Sequence, residues 1–309
     1  MRIDSTMTGP ARLVGLAALL LVSGCQLDLA GSDRDANGDD NDNGNGGGTT
    51  ALSVITPTQP HGGVLGAGLT VTAIHLERDG GERERLPLDP PVSVELVRAQ
   101  RAEAAPRLLL DGASVPAGEY ARVELEVDAN ASQVSSLTGG VVPLEPASER
   151  LVMDTDFTLQ SGTEELVVQP ALHAALQQND DGGFRLEDDH LVTTSRASGR
   201  VFLPASGSAA CFQPSATGLY FFDGFDREPA ELGAADGPVF TFRVGNLAAL
   251  ELGFLPAGDY TVAWTCEADR DGRSDGDGIE FIGRENLEVE AGACSAVELD
   301  GGTGRPGTC

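Results

Sequence analysis

Lysine does not occur in this sequence: all 20 basic residues are arginine, set against 48 acidic ones for a net charge of −28. Such a surface repels nucleic-acid phosphates and anionic lipid headgroups, which argues against direct binding to either and leaves divalent cations as the natural counter-species. The arginine bias is what a GC-rich genome produces, and it can coexist with an acidic, salt-adapted surface. Aromatic residues are scarce at 5%, while glycine (40) and proline (17) are plentiful. That balance suits a turn-rich β-protein better than a helical bundle. Histidine is limited to His61, His75, His173 and His190, none at ligand spacing from another. With no thiolate expected to be free, a zinc site has little support. Long apolar runs are missing too, apart from one near the N-terminus.

That run, LVGLAALLLV, follows Arg12 and ends in VSGC at Val22–Cys25. It is too short to span a bilayer and fits the hydrophobic region of a secretory signal. A Ser-Gly pair directly before a cysteine resembles the bacterial lipobox. The resemblance implies cleavage before Cys25, a diacylglycerol on its thiol and an acyl chain on its amine. Several acyl chains hold a protein on a membrane where one gives only marginal binding. Residue 26 is Gln rather than Asp, which by the enterobacterial sorting pattern implies the outer membrane, on its periplasmic or its outer face. Met1 and Met7 both serve as candidate starts, and MTGPAR gives a leader without Asp4. Loss of residues 1–24, which carry Arg2, Arg12 and Asp4, would leave a net charge of −29.

After Cys25 the stretch to residue 50 includes GSDRDANGDDNDNGNGGGTT and has almost nothing to bury. It reads as a flexible tether with a reach of roughly 25–30 Å. Asp33–Gly38 matches the first half of an EF-hand loop, but position twelve of that register is Gly44, where a bidentate glutamate is needed.

Beyond the tether, short alternating segments recur between turn signals, the pattern of an all-β chain. LTVTAIHLE, VSVELV, LLLDGASVPAGEYARVELEV, FTLQSG and EELVVQP belong to a first β-domain over 51–196. Within it ALHAALQQ (171–178) is expected to be helical, with Pro170 at its first turn. SGRVFL, GLYFFDGF, VFTFRV, ALELGFLPAGDYTVAWTC, IEFIGRENLEVEAG and SAVEL supply about six strands of a second domain over 197–300, followed by a tail at 301–309. The expected architecture is two antiparallel β-sandwiches, immunoglobulin-like or transthyretin-like.

Four cysteines remain after Cys25: Cys211, Cys266, Cys294 and Cys309. In an exported chain they suggest two disulfides, for which three pairings exist. Cys211–Cys266 with Cys294–Cys309 is favoured. The second bridge would close a short loop, worth about 3 kcal/mol, and pin the tail.

One phrase occurs twice, VPAGEY at 115–120 and LPAGDY at 255–260, each before an apolar strand. Proline then glycine two residues on makes a turn. In the second copy Tyr260, Val262, Trp264 and Cys266 share a face, so the tyrosine can enter the core as a tyrosine corner. In the first, Ala121, Val123, Leu125 and Val127 form the apolar face, and Tyr120 falls with Arg122 and Glu124. Either a bulge resets the phase there or Tyr120 lies outside the core.

From about Leu69 to Val201 the motifs TVTAIHLERDG, LLLDGASVPAGEYARVELEV, FTLQSG and GGFRLEDDHLV resemble a bacterial lipoprotein family defined by a domain of unknown function. RVFLPASGSAAC, GLYFFDG and LGFLPAGDYTVAWTCEADRD are similar to the carboxypeptidase-regulatory or transthyretin-like module that follows in such proteins. There Cys211 and Cys266 fall where members have a cysteine, which supports their pairing. The chain departs from the family pattern at VVQPALHAALQQ and EDDHLVTT. The family implies no activity and no catalytic residues.

Among candidate chemistries, GRSDG (272–276) matches the nucleophile-elbow pattern, but no histidine follows His190, so it reads as a chance match. Paired carboxylates for glycoside hydrolysis cannot be singled out among so many acids. The acidic loop CEADRDGRSDGDGIE is the remaining candidate. There Asp269, Asp271, Asp275, Asp277 and Glu280, with Glu267 nearby, could offer oxygens to calcium without forming an EF-hand register. The expectation is a non-catalytic, membrane-anchored lipoprotein that binds an envelope protein or glycan or serves a structural role. A calcium-dependent adhesion or assembly module is the alternative, and an envelope hydrolase a more distant one.

Overall fold

The computed structural model describes residues 48–57, 59, 61, 64–98, 106–136, 140–179, 181–188, 190–204, 211, 216–244, 250–272 and 276–298. The chain is all-β, as its alternation implies. The first region contains β1 (Thr49–Thr56), β2 (Val64–Arg78), β3 (Arg83–Arg98), β4 (Arg107–Pro116), β5 (Gly118–Val127) and β6 (Gln133–Ser136). These are followed by β7 (Gly140–Pro146), β8 (Arg150–Leu159) and β9 (Gly162–Pro170). One turn of helix, α1 (Leu172–Ala175), then leads to β10 (Leu176–Gln178), β11 (Phe184–Leu186) and β12 (His190–Thr194).

These strands form two sheets, ordered β12–β9–β1–β4 and β10–β11–β7–β6–β2–β5–β8, with β3 also paired to β2. Their shared core is mainly aliphatic, with Leu52, Val54, Leu69, Ile74, Val123, Leu151 and Leu166 all buried. The helix expected over 171–178 is confined to α1, because residues 176–178 pair with β11 instead.

The second region contains β13 (Ser198–Leu203), β14 (Thr217–Asp223), β15 (Phe240–Val244), β16 (Leu250–Pro256), β17 (Gly258–Thr265), β18 (Phe281–Val289) and β19 (Cys294–Ala296). A three-stranded sheet, β16–β13–β19, and a four-stranded one, β15–β14–β17–β18, contribute to one core. Phe221, Phe240, Phe242, Tyr260 and Trp264 make this core aromatic. Most pairings are antiparallel, but β1 with β9, β7 with β11 and β13 with β19 run parallel. Alternation fixes which face a residue takes, not the direction of the neighbouring strand, so these three were not legible in advance.

Both copies of the repeated phrase are tyrosine corners. Tyr260 Oη donates to Pro256 O at 2.9 Å, and Tyr120 Oη donates to Pro116 O at 2.6 Å. The phase conflict in the first copy is resolved by a bulge. The β5–β8 register shifts between Tyr120 and Arg122, so Tyr120 turns into the core at 1% exposure while Val123 and Leu125 keep their face. Tyr120 stacks on Phe157, with ring centroids 5.3 Å apart, and the Arg78 guanidinium lies 5.9 Å from its ring centre.

The described residues belong to one compact unit, and the two cores meet within it. Ala171, directly after β9, packs into the second core. Next to it, Gln169 imitates a strand partner: its Oε1 accepts from Phe254 N at 3.0 Å and its Nε2 donates to Phe254 O at 3.2 Å. The amide reaches that backbone because residue 253 is glycine. A Cβ there would sit 2.2 Å from Gln169 Oε1, and the backbone has φ +134°, which favours glycine. Among the described residues no helix is long and apolar enough to cross a membrane.

Candidate functional site

Cys25, the 26–47 part of the tether, Asp275, Ser274 and Cys309 lie outside the described residues. The Cys211–Cys266 bridge is formed, with Cα atoms 5.4 Å apart. Cys294 is disulfide-bonded as well, and Cys309 is the partner the sequence suggested for it. Residues after GRSDG run into strand β18, not into the helix a nucleophile elbow requires.

The described carboxylates of the acidic loop do not gather as calcium ligands would. Among the described residues no group of three or more His, Cys, Asp or Glu converges as metal ligands. The reason lies in how each carboxylate is used. Asp277 Oδ2 accepts from Gly272 N at 2.6 Å, and Glu267 Oε2 accepts from Glu280 N at 2.9 Å. Glu267 Oε1 pairs with Arg270 at 2.6 Å. From outside the loop, Glu231 accepts from Gly276 N and Gly278 N at 2.8 and 2.9 Å. Asp269 and Glu280 are exposed, whereas Asp271 is turned inward with its side chain fully buried. Asp277 and Glu267, with Glu231 from outside, therefore fix the loop's backbone through carboxylate-to-amide bonds.

Asp271 anchors a buried polar cluster. Its Oδ2 accepts from Tyr220 Oη at 2.5 Å and from Leu232 N at 3.4 Å. Because Tyr220 donates its proton to Asp271, His173 Nε2, 2.9 Å from Tyr220 Oη, must be the donor in that second bond. The chain His173–Tyr220–Asp271 thus joins α1, β14 and the acidic loop. Burial holds His173 neutral by lowering its pKa to about 3. Burial, above all, pushes the Tyr220 hydroxyl and the Asp271 carboxyl upward. Asp271 Oδ1 is buried without a hydrogen-bond partner.

Beside this chain a cleft of about 460 Å³ opens where the two cores meet. Its polar lining includes His61, His173, Gln177, Arg243, Asp269 and Arg270. Burial also lowers the pKa of Arg243, and the nearby Asp269 opposes that shift. His190 lies at a separate hollow bordered by the 232–241 segment, and burial lowers its pKa to about 4. His75 is away from both hollows, bonded through Nε2 to Glu126 Oε2 at 3.0 Å. Sequence reasoning missed Tyr220 and Arg243. The available signal was a polar-tipped aromatic inside an unbroken apolar run, GLYFF, whose hydroxyl needs a buried partner.

No protein-family model matches the sequence, and a search of curated proteins gives no match. Among solved structures, the Bacillus anthracis TIE protein aligns at 8% identity and a TM-score of 0.21, over 84% of this chain and 34% of that one. The chain therefore spans about a third of that protein's length. A candidate cell adhesion protein from Bacteroides eggerthii DSM 20697 aligns at 10% identity and a TM-score of 0.19, over 84% of this chain and 89% of that one. Likenesses of this size carry no argument about function.

Proposed function

We propose that this protein is a non-catalytic lipoprotein of the bacterial envelope, moored in the outer membrane by lipid on Cys25, and that its β-unit is a binding or structural module. The observation that carries the reading is the apolar run closing on VSGC at Val22–Cys25, followed directly by a tether with little to bury. Lipid on the thiol would hold the chain at the membrane, and the tether would let the β-unit stand off by roughly 25–30 Å. The domain resemblance read from the repeated PAG-acid-Tyr phrase fits the same setting. The partner on this reading is an envelope protein or glycan, met through loops, a sheet edge or the junction cleft.

Cell fractionation with surface protease shaving tests the anchoring. The native chain should sediment with outer membranes, and Cys25→Ala should release it to the soluble fraction. A Cys25→Ala protein that still sediments with membranes overturns the proposal. Pulldown from envelope extract with and without chelator tests the calcium alternative. Capture is expected to survive chelation, because Asp277 and Glu267 already accept from backbone amides.

A further inference from the structure

The junction cleft has the features of a prepared binding site. Small-molecule sites favour the seams between domains and measure roughly 300–1,000 Å³. This one lies at the seam between two cores and measures about 460 Å³. Two of its lining residues, His173 and Asp271, are tied together through Tyr220. A cleft whose walls are fixed before the ligand arrives loses less ordering entropy on binding.

The lining identifies the class of ligand. Arg243 and Arg270 line the cleft together with Asp269 and Asp271, and His173 is neutral, so the charges of the lining cancel. In a chain of net charge −28 this is a locally balanced spot. A phosphate or sulfate would meet the exposed Asp269 carboxylate there, and a cation would meet the two guanidiniums. A neutral polyhydroxylated molecule meets neither penalty. Each of its hydroxyls both donates and accepts, and the cleft sets guanidinium and amide donors beside a carboxylate acceptor. Val64, Leu176 and Phe184 add an apolar portion to the lining, suited to the C–H face of a sugar ring.

We propose that the cleft between the two cores binds a neutral saccharide, with Asp269 accepting from its hydroxyls and Arg243 donating to them. The inference rests on the binding-module reading and narrows it. The two fail separately: loss of anchoring shows in fractionation, whereas the cleft is read on purified protein whatever its location.

The test uses the full chain in a non-glycosidic detergent, titrated calorimetrically with maltotriose, a galactose trimer and an N-acetylglucosamine trimer. A galacturonate trimer and a glucosamine trimer serve as the charged comparisons. At least one neutral trimer should bind in preference to both charged ones. Asp269→Asn, at an exposed position where folding is not at stake, should weaken that binding about tenfold. Arg243→Gln should do the same, and Asp154→Asn, on the far ion-paired face, should leave it unchanged. The proposal is overturned if no neutral trimer binds, if a charged trimer binds better, or if Asp269→Asn binds as tightly as the native chain.

Discussion

The two cores of this protein solve the same burial problem with different residues. In the first, aliphatic side chains fill the interior, and the outer face of the β3–β2–β5–β8 layer carries an ion-pair lattice. Arg83 reaches Glu77 and Glu124 at 2.6 and 3.0 Å, Arg122 reaches Asp154 at 2.5 Å, and Arg150 reaches Glu124 at 3.2 Å. In the second, aromatic rings fill the interior and the outer face of the sheet is covered as well. There Leu232 packs on Tyr220, Phe222 and Ala263 in a satellite cluster. β14 is consequently buried on both sides from Thr217 to Phe222, whereas β5 shows only one fully apolar face. A sheet with one wet face writes alternation into its strands, and a sheet covered twice erases it. The covered sheet is also where the polar chain and the cleft are found.

The contrast can be broken or sharpened experimentally, beginning with the largest effect. Cys266→Ser opens a bridge spanning 55 residues and should destabilise the second core by about 4 kcal/mol. The single tryptophan, Trp264, lies in that core, so its fluorescence during urea unfolding reports the change selectively. An unchanged urea midpoint would mean that the aromatic core stands without its staple. Gly283→Val should cost about 1–3 kcal/mol by the same readout, because a Cβ there would lie 2.2 Å from Trp264 Cζ2.

Acid should weaken the junction. Unfolded histidines take up protons near pH 6.5. Folded His173 and His190 stay neutral down to about 3 and about 4. The unfolded state therefore binds more protons across that window, and stability falls as pH drops from about 6.5 toward 4. Asp271, whose carboxyl is held above its usual range by burial, works in the opposite direction because its folded form protonates first. Midpoints measured at pH 7 and pH 5 should therefore differ less in a His173→Gln, His190→Gln double variant than in the native chain. A steeper loss in that variant would contradict the assignment.

Removing the corner hydroxyls should have a smaller effect. Tyr120→Phe and Tyr260→Phe each delete one bond to a proline carbonyl and should each cost about 1 kcal/mol. Clearly unequal costs would separate the two corners despite their shared phrase. Smallest of all, Arg122→Ala should shift the urea midpoint less than any of these, and less again in high salt, since its partner Asp154 is 72% exposed and its second partner Glu77 lies 3.4 Å away.

The repeated phrase shows how far the residues could be read in advance. Proline and glycine at fixed spacing gave the turn in both copies, and alternation placed Tyr260, Val262 and Trp264 in the core. The position of Tyr120 could not be read from alternation alone, because one extra residue in a strand inverts every side chain after it and leaves no mark in composition. The cleft was hidden for a different reason. His61, Gln177, Arg243 and Asp269 are brought together by the meeting of two regions, and no local spacing encodes that encounter. The acidic loop was legible only as a cluster, since carboxylates close in sequence say nothing about which backbone amides will claim them.

Both cores, and the cleft between them, owe their proposed place in the cell to Cys25. Intact mass spectrometry of the protein extracted from membranes addresses that residue directly. The account predicts a chain that begins at Cys25 and carries a diacylglycerol with a further acyl group. A chain retaining residues 1–24, or one beginning at an unmodified Cys25, would contradict it.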